Sequence, residues 1–325
     1  MTMNSRVLFT VTLLAAVWFC SFTNVAKAQV STESKQSRET DQPDRSSLKK
    51  KAQSGDTKAE YLLGWSYMSG TGVPQDYQEA AKWYGEAAAQ GSADAEFGLG
   101  YLYEQGKGVG RDYHQAVAYY SASAKQGHAT AQNNLASMYE HGQGVRKNLR
   151  EAARWYRAAA DQGEVTAQCN LASLYFRGQG VARDYAQAAK WFHAAAELGY
   201  PPAEDNLAWM YYTGTGVKLD YPEAAKWVQQ AAVAGYAPAQ VDLGYLYEQG
   251  KGVPLDYVSA YTWYKLAVAG GDDRGRERIK SLSRVMTQEQ IRDAGNRAAQ
   301  FPGSRSPHEG LSNSNGIRSS FVERR

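Results

Sequence analysis

The sequence predicts an all-α fold: a right-handed α–α superhelical solenoid of six 36-residue helix-turn-helix repeats closed by helical caps. Three observations predict it. Gly-x-Gly-Val ends at Val73, Val109, Val145, Val181, Val217 and Val253, and every step is 36 residues with no insertion. The same ruler lands on Leu63, Leu99, Leu135, Leu171, Leu207 and Leu243, and on Trp83, Tyr119, Trp155, Trp191, Trp227 and Trp263. Between these markers apolar residues recur three and four apart, the period of a helix. A helix pair of this size cannot bury both of its apolar stripes alone, whereas stacked copies bury a continuous core.

The N-terminus reads as an address. Arg6 precedes an uncharged run from Val7 to Val25, and Ala26-Lys27-Ala28 supplies a small-x-small cleavage site. This predicts a signal peptide over residues 1–28, a mature start at Gln29, and a periplasmic or secreted bacterial protein. The run is long enough to span a membrane uncleaved, but the cleavage site and the polar segment behind it favour removal. A lipoprotein reading of Cys20 is disfavoured because Trp18 and Phe19 before it are bulky. No other stretch could span, so no membrane segment is expected after cleavage. Residues 29–47 are polar and predict a disordered linker, and 303–325 a disordered tail.

Residues 48–271 hold the repeats, with 48–55 as an N-terminal cap resembling the end of a preceding second helix. In each first helix Ala59, Leu63 and Tyr67 and their counterparts form the apolar stripe. The column at Gly64 reads Gly, Gly, Ala, Ala, Ala, Gly, which predicts that another backbone approaches there. Gly70 and Gly72 end the helix and turn the chain. The second helix starts at Asp76, repeated as Asp112, Asn148, Asp184, Asp220 and Asp256, residue types that cap a helix start. Its stripe is Ala80, Trp83, Tyr84, Ala87 and Ala88, and Gly91 stops it. Residues 272–302 read as two capping helices, Arg274 to Arg284 and Gln288 to Gln300, the latter opening with a Thr287/Gln290 capping box.

Charge and chemistry narrow the function. The chain carries 36 Lys+Arg against 33 Asp+Glu, a net charge of +3, and residues 56–303 are slightly acidic. That argues against a nucleic-acid partner bound by counterion release. The Gly-x-Gly repeats are not a phosphate cradle, since no strand precedes them and no Lys follows in register. The five His show no metal spacing. No Ser sits in a nucleophile elbow. Cleavage leaves Cys169 as the one mature cysteine, so no internal disulfide is expected, and it reads as an ordinary helix residue. Glu104, Glu140 and Glu248 share a column but lie roughly 10 Å apart on neighbouring helices. Glu104 and Glu248 each have a Lys three residues later, so the column reads as a solvated charged edge rather than a glycosidase pair. No catalytic residue, metal site or cofactor is expected.

The run Ala-x-x-x-Leu-Gly-x-x-Tyr-x-x-Gly-x-Gly-Val-x-x-Asp-Tyr-x-x-Ala-x-x-Trp-Tyr-x-x-Ala-Ala-x-x-Gly resembles the Sel-1-like repeat family, a cousin of the tetratricopeptide repeats, over residues 56–271. The resemblance implies a non-catalytic scaffold that binds a protein or peptide partner. One exported, Cys-rich branch of that family is reported to bind penicillin, which implies the alternative of a cell-wall enzyme or glycan-binding protein. This chain lacks that branch's Cys pairs.

By resemblance to tetratricopeptide solenoids, the side of the first helices opposite the core stripe lines a concave groove. Its columns hold Asn134, Asn170 and Asn206 in one line, with Trp209, Tyr212 and Tyr245 beside them. The three Asn offer donors and acceptors to an extended backbone, and the aromatics offer anchors for apolar side chains. The alternative is that these Asn, with Asn133, bond neighbouring helices. Lys and Arg are scarce in these columns, which disfavours capture of a peptide's C-terminal carboxylate.

Overall fold

A computed structural model describes residues 45–301. They form fifteen helices, with no strand among the described residues. α1 (Arg45–Gln53) precedes the repeats. The six pairs are α2 (Thr57–Ser69) and α3 (Tyr77–Ala89), α4 (Ala93–Gln105) and α5 (Tyr113–Lys125), α6 (Ala129–His141) and α7 (Leu149–Ala160), α8 (Val165–Arg177) and α9 (Tyr185–Glu197), α10 (Pro201–Thr213) and α11 (Tyr221–Val233), α12 (Ala237–Gln249) and α13 (Tyr257–Ala269). α14 (Arg274–Leu282) and α15 (Gln288–Gln300) close the array.

Each second helix begins where the sequence places its cap. The Asp112 carboxylate accepts from the backbone N–H of His114 at 2.8 Å and of Gln115 at 3.1 Å, satisfying donors that a helix start leaves unpaired. The cap residue also fastens the loop. Its own N–H donates to the carbonyl of the tyrosine nine residues back in every repeat, as in Asp112 to Tyr103 at 3.0 Å and Asn148 to Tyr139 at 2.8 Å. An insertion between the two residues would break this bond, which accounts for the unvarying length of that loop. The last helix opens with the expected capping box between Thr287 and Gln290.

The core lies between the layers as five clusters of buried residues, bridged by partly buried rings such as Tyr67, Tyr103, Tyr139 and Tyr247. Leu135, Leu171, Leu207 and Leu243 are at most 1% exposed, as are Tyr120, Tyr156, Phe192 and Tyr264 from the second helices. Each such side chain contributes about 1.5–3 kcal/mol by leaving water. The ends are closed differently. Ala52 and Leu48 of α1 pack on Ala59, Leu63 and Trp83, while Leu282, Met286 and Ala294 cover Val241, Tyr261 and Tyr264. No described helix is long and apolar enough to cross a membrane.

Two glycine columns separate what a turn needs from what packing needs. An added Cβ at Gly180 would lie 2.0 Å from the Leu149 carbonyl oxygen, so the loop of repeat four rests on the start of the second helix of repeat three. The same holds for Gly108, Gly144, Gly216 and Gly252. Gly72 has the same turn angle but nothing within 4 Å, because no repeat precedes it. At the Gly64 column the expectation of a nearby backbone is corrected. A Cβ at Gly100 would meet the ring of Tyr120 at 2.6 Å, so the space there is taken by an aromatic side chain.

The signal peptide over 1–28, most of the linker over 29–47 and the tail over 303–325 lie outside the described residues, as does the cleavage site at Ala28.

Candidate functional site on the first helices

The first helices of consecutive repeats touch one another, as α2 with α4 and α10 with α12, and this places them on the inner side of the stack. The six residues proposed to line that side do not share one environment. Asn206, Trp209 and Tyr245 are buried, at 5%, 6% and 5% exposure. They do not face away from the core as the helical projection predicts. The reason is the stacking of repeats: a residue turned away from its own second helix is covered by the first helix of the preceding repeat. Trp209 meets Phe176 of the preceding repeat edge-on at 5.4 Å, and Tyr245 meets Tyr212 at 6.4 Å between ring centres. Asn134, Asn170 and Tyr212 stay half-buried.

The asparagines form a bonded line between helices. Asn170 Nδ2 donates to Asn133 Oδ1 at 3.2 Å, and Asn133 Nδ2 donates to Asn134 Oδ1 at 3.2 Å. One repeat further on, the same two columns hold Asn206 and Cys169, and the amide turns instead to the Pro202 carbonyl at 2.7 Å. Burial pushes the Cys169 thiol up to about 12, so it stays protonated at neutral pH. One repeat further again the pair is Asp242 and Asp205. Burial, and next the Asp242 carboxylate, push the Asp205 carboxyl well above the usual range, against the pull of Arg274. Arg274 itself forks onto Asp272, with Nε to Oδ1 at 2.9 Å and Nη2 to Oδ2 at 2.5 Å.

The column of Glu104, Glu140 and Glu248 is not a solvated edge. Tyr120 donates to Glu104 at 2.7 Å, Tyr156 to Glu140 at 2.8 Å and Tyr264 to Glu248 at 2.6 Å. Each carboxylate lets a buried tyrosine hydroxyl keep a partner. In two of the other repeats both columns change together, to Phe176 with Phe192 and Tyr212 with Val228, while the first repeat keeps Tyr84 opposite Met68. The lysines expected to pair with the glutamates go elsewhere. Lys107 Nζ donates to the Tyr101 hydroxyl at 3.1 Å and sits over the rings of Tyr77 and Tyr101. Lys251 Nζ donates to the Tyr212 hydroxyl at 2.8 Å and sits over Tyr212 and Tyr221. Each ammonium thus gains a hydroxyl acceptor and two ring faces. At the N-terminal end Trp65 is 40% exposed.

Sequence reasoning missed these lysine–tyrosine stacks and the Asp205–Asp242 pair. The signal for the pair was present in the two neighbouring columns, where amides change to carboxylates. Among the described residues no group of three or more His, Cys, Asp or Glu is placed to hold a metal ion.

The architecture and this inner face define an α-solenoid of stacked helix pairs that presents one helix layer to its surroundings. The chain belongs to the Sel1 repeat family, which six consecutive segments match: 57–92, 93–128, 129–164, 165–200, 201–236 and 237–272. Among solved structures it is similar to a protective antigen present in uropathogenic Escherichia coli strains that displays an SLR fold, at 35% identity and a TM-score of 0.70 over 78% of this chain. The match spans 55% of that antigen's length. It is also similar to a Sel1 repeat protein from Oxalobacter formigenes, at 32% identity and a TM-score of 0.61, covering 66% of this chain and 85% of that one. No curated protein sequence matches it significantly. Sel1 repeat proteins generally act in protein–protein interaction.

Proposed function

We propose that the protein is an exported, non-catalytic scaffold that binds an extended peptide or partner loop along its first helices. The observation that carries this reading is the half-open aromatic row of that layer. Trp65, Tyr101 and Tyr212 remain partly exposed there, and Tyr101 and Tyr212 each hold a lysine against the ring face. Such rings offer rigid apolar area at low entropic cost. Asn134 and Asn170 lie between them as donors and acceptors for a backbone. Trp209, Tyr245 and Asn206 support this layer from beneath rather than contacting the partner. Export is supported by Arg6, the uncharged run to Val25 and the Ala26-Lys27-Ala28 site, and it places the scaffold in the periplasm or medium of a bacterium.

The test is selection of binding peptides from a random library against the mature protein, followed by affinity measurement on Trp65→Ala/Tyr212→Ala. Losing aromatic anchors should weaken the selected peptides at least about 30-fold with helical content unchanged. Peptides that bind the double variant as tightly as the parent would place the binding surface elsewhere.

A further inference from the structure

One polar position at the start of every first helix faces the end of the preceding second helix. It is Glu60, Glu96, Gln132, Gln168, Glu204 and Gln240 in repeat order. Thirty residues later in the chain the first three repeats place Gln90, Gln126 and Gln162, and each donates to it: Gln90 to Glu60 at 2.7 Å, Gln126 to Glu96 at 2.8 Å and Gln162 to Gln132 at 2.8 Å. The last three repeats put Leu198, Ala234 and Gly270 there instead. Their acceptors lose the donor, and Gln168 Oε1, Glu204 Oε2 and Gln240 Oε1 are buried with no hydrogen-bond partner among the described residues.

The two glutamines keep a compensating bond that a carboxylate cannot make. The Gln168 amide donates to the Ala160 carbonyl at 3.4 Å and the Gln240 amide to the Ala232 carbonyl at 3.1 Å, each eight residues back. Gln132 does the same to Ala124 at 3.1 Å. The equivalent carbonyl for Glu204 is that of Ala196. Glu204 is 5% exposed, and an ionised carboxylate has no proton to give to a carbonyl.

We propose that Glu204 is a proton-operated joint between the fourth and fifth repeats. As a neutral acid it donates to the Ala196 carbonyl in the manner of its glutamine counterparts. As a carboxylate it leaves a charged oxygen, Oε2, buried without a donor, and the seam between α9 and α10 loosens. Burial pushes its carboxyl up to about 7, in accord with that role. The surrounding charges do not replace the missing donor. On α9, Lys190 lies over the Trp191 ring, and exposed Glu197 pairs with His193 at 3.6 Å. On α11, Lys226 pairs with Glu223 at 2.8 Å. Asp205 on α10 itself, held toward its neutral form, and the carboxyl groups of Asp242 on α12 and Asp272 supply no cation, and Arg274 is engaged by Asp272. The joint is spanned on the inner layer by the Phe176–Trp209 contact.

The sign follows from the raised value. The neutral form is the one the fold favours, so its stabilisation is complete below 4.5, the ordinary glutamate value, and is lost as pH climbs through about 7. From those two values the opening constant of the joint should rise about 25-fold between pH 5.5 and pH 8. The measurement is hydrogen exchange by mass spectrometry on the full mature chain, corrected for intrinsic rates, read on peptides covering residues 190–210. Glu204→Gln should hold the pH 5.5 protection at pH 8. Asp205→Asn should leave the Glu204 step in place. Ala234→Gln, which restores the donor found in the first three repeats, should move the opening midpoint to lower pH by about one unit. Equal pH dependence in the parent and in Glu204→Gln would overturn the proposal, and so would an unmoved midpoint in Ala234→Gln.

Discussion

Gly180→Ala separates the demands of a turn from those of stacking. Gly180 has a φ of 72°, and placing a Cβ in that left-handed region costs about 1–2 kcal/mol. The alanine recovers about 0.4–1 kcal/mol by restricting the unfolded chain, so the conformational cost alone nets about 1 kcal/mol. Gly163→Ala, at φ 85° with nothing within 4 Å, should cost that much and no more. At Gly180 the new carbon would sit 2.0 Å from the Leu149 carbonyl oxygen. The obstacle is backbone, so the third and fourth repeats must move apart by about 1 Å or more. Overpacking of this kind adds about 1–3 kcal/mol, for a total of about 2–4 kcal/mol. Urea unfolding followed by circular dichroism gives the cost, and hydrogen exchange in α7 and α8 locates it. Gly72→Ala, with the same φ and no neighbouring repeat, is the second control. A Gly180→Ala cost within about 0.5 kcal/mol of both controls would refute the claim that this glycine exists for inter-repeat contact.

Leu171→Ala should cost about 2–5 kcal/mol as a core cavity, since Leu171 is 1% exposed, and a broadened thermal melt should accompany it. Tyr156→Phe leaves the Glu140 carboxylate without its phenol donor and should cost about 1–3 kcal/mol. Tyr84→Phe loses a 3.6 Å contact to the Met68 sulfur and should stay within about 0.5 kcal/mol; equal costs in urea titrations would mean the hydroxyls are not what matters. Trp209→Ala should destabilise by about 3–5 kcal/mol, because the ring is packed on Phe176, and an unchanged melting temperature would return it to the open face. N-terminal sequencing of the exported protein should begin at Gln29, and an intact Met1 would end the export reading.

The repeat length, both helices of each pair, the caps that start the second helices and the closing capping box were legible in the sequence. Each depends on contacts within one repeat. Asp112 meets donors two and three residues away, and Leu171 projects from a stripe that any 3.6-residue period reveals. What one repeat does to the next was not legible in the same way. The helical projection put Trp209, Tyr245 and Asn206 outward, and stacking buried them, because the outward face of one first helix is partly the floor of its neighbour. Glu104 and Lys107 looked like partners at a spacing of three, yet one went to Tyr120 and the other to aromatic faces. Gly72 and Gly180 are identical within the motif, and only the presence or absence of a preceding repeat makes their demands differ. Glu204 likewise occupies the same motif position as Glu60. Its environment was decided by the loss of a glutamine thirty residues on, a distance that the packing of the repeat's two helices closes. Local periodicity dictates elements because hydrogen bonds and side-chain stripes repeat within a few residues, whereas burial and charge state depend on what the fold brings alongside.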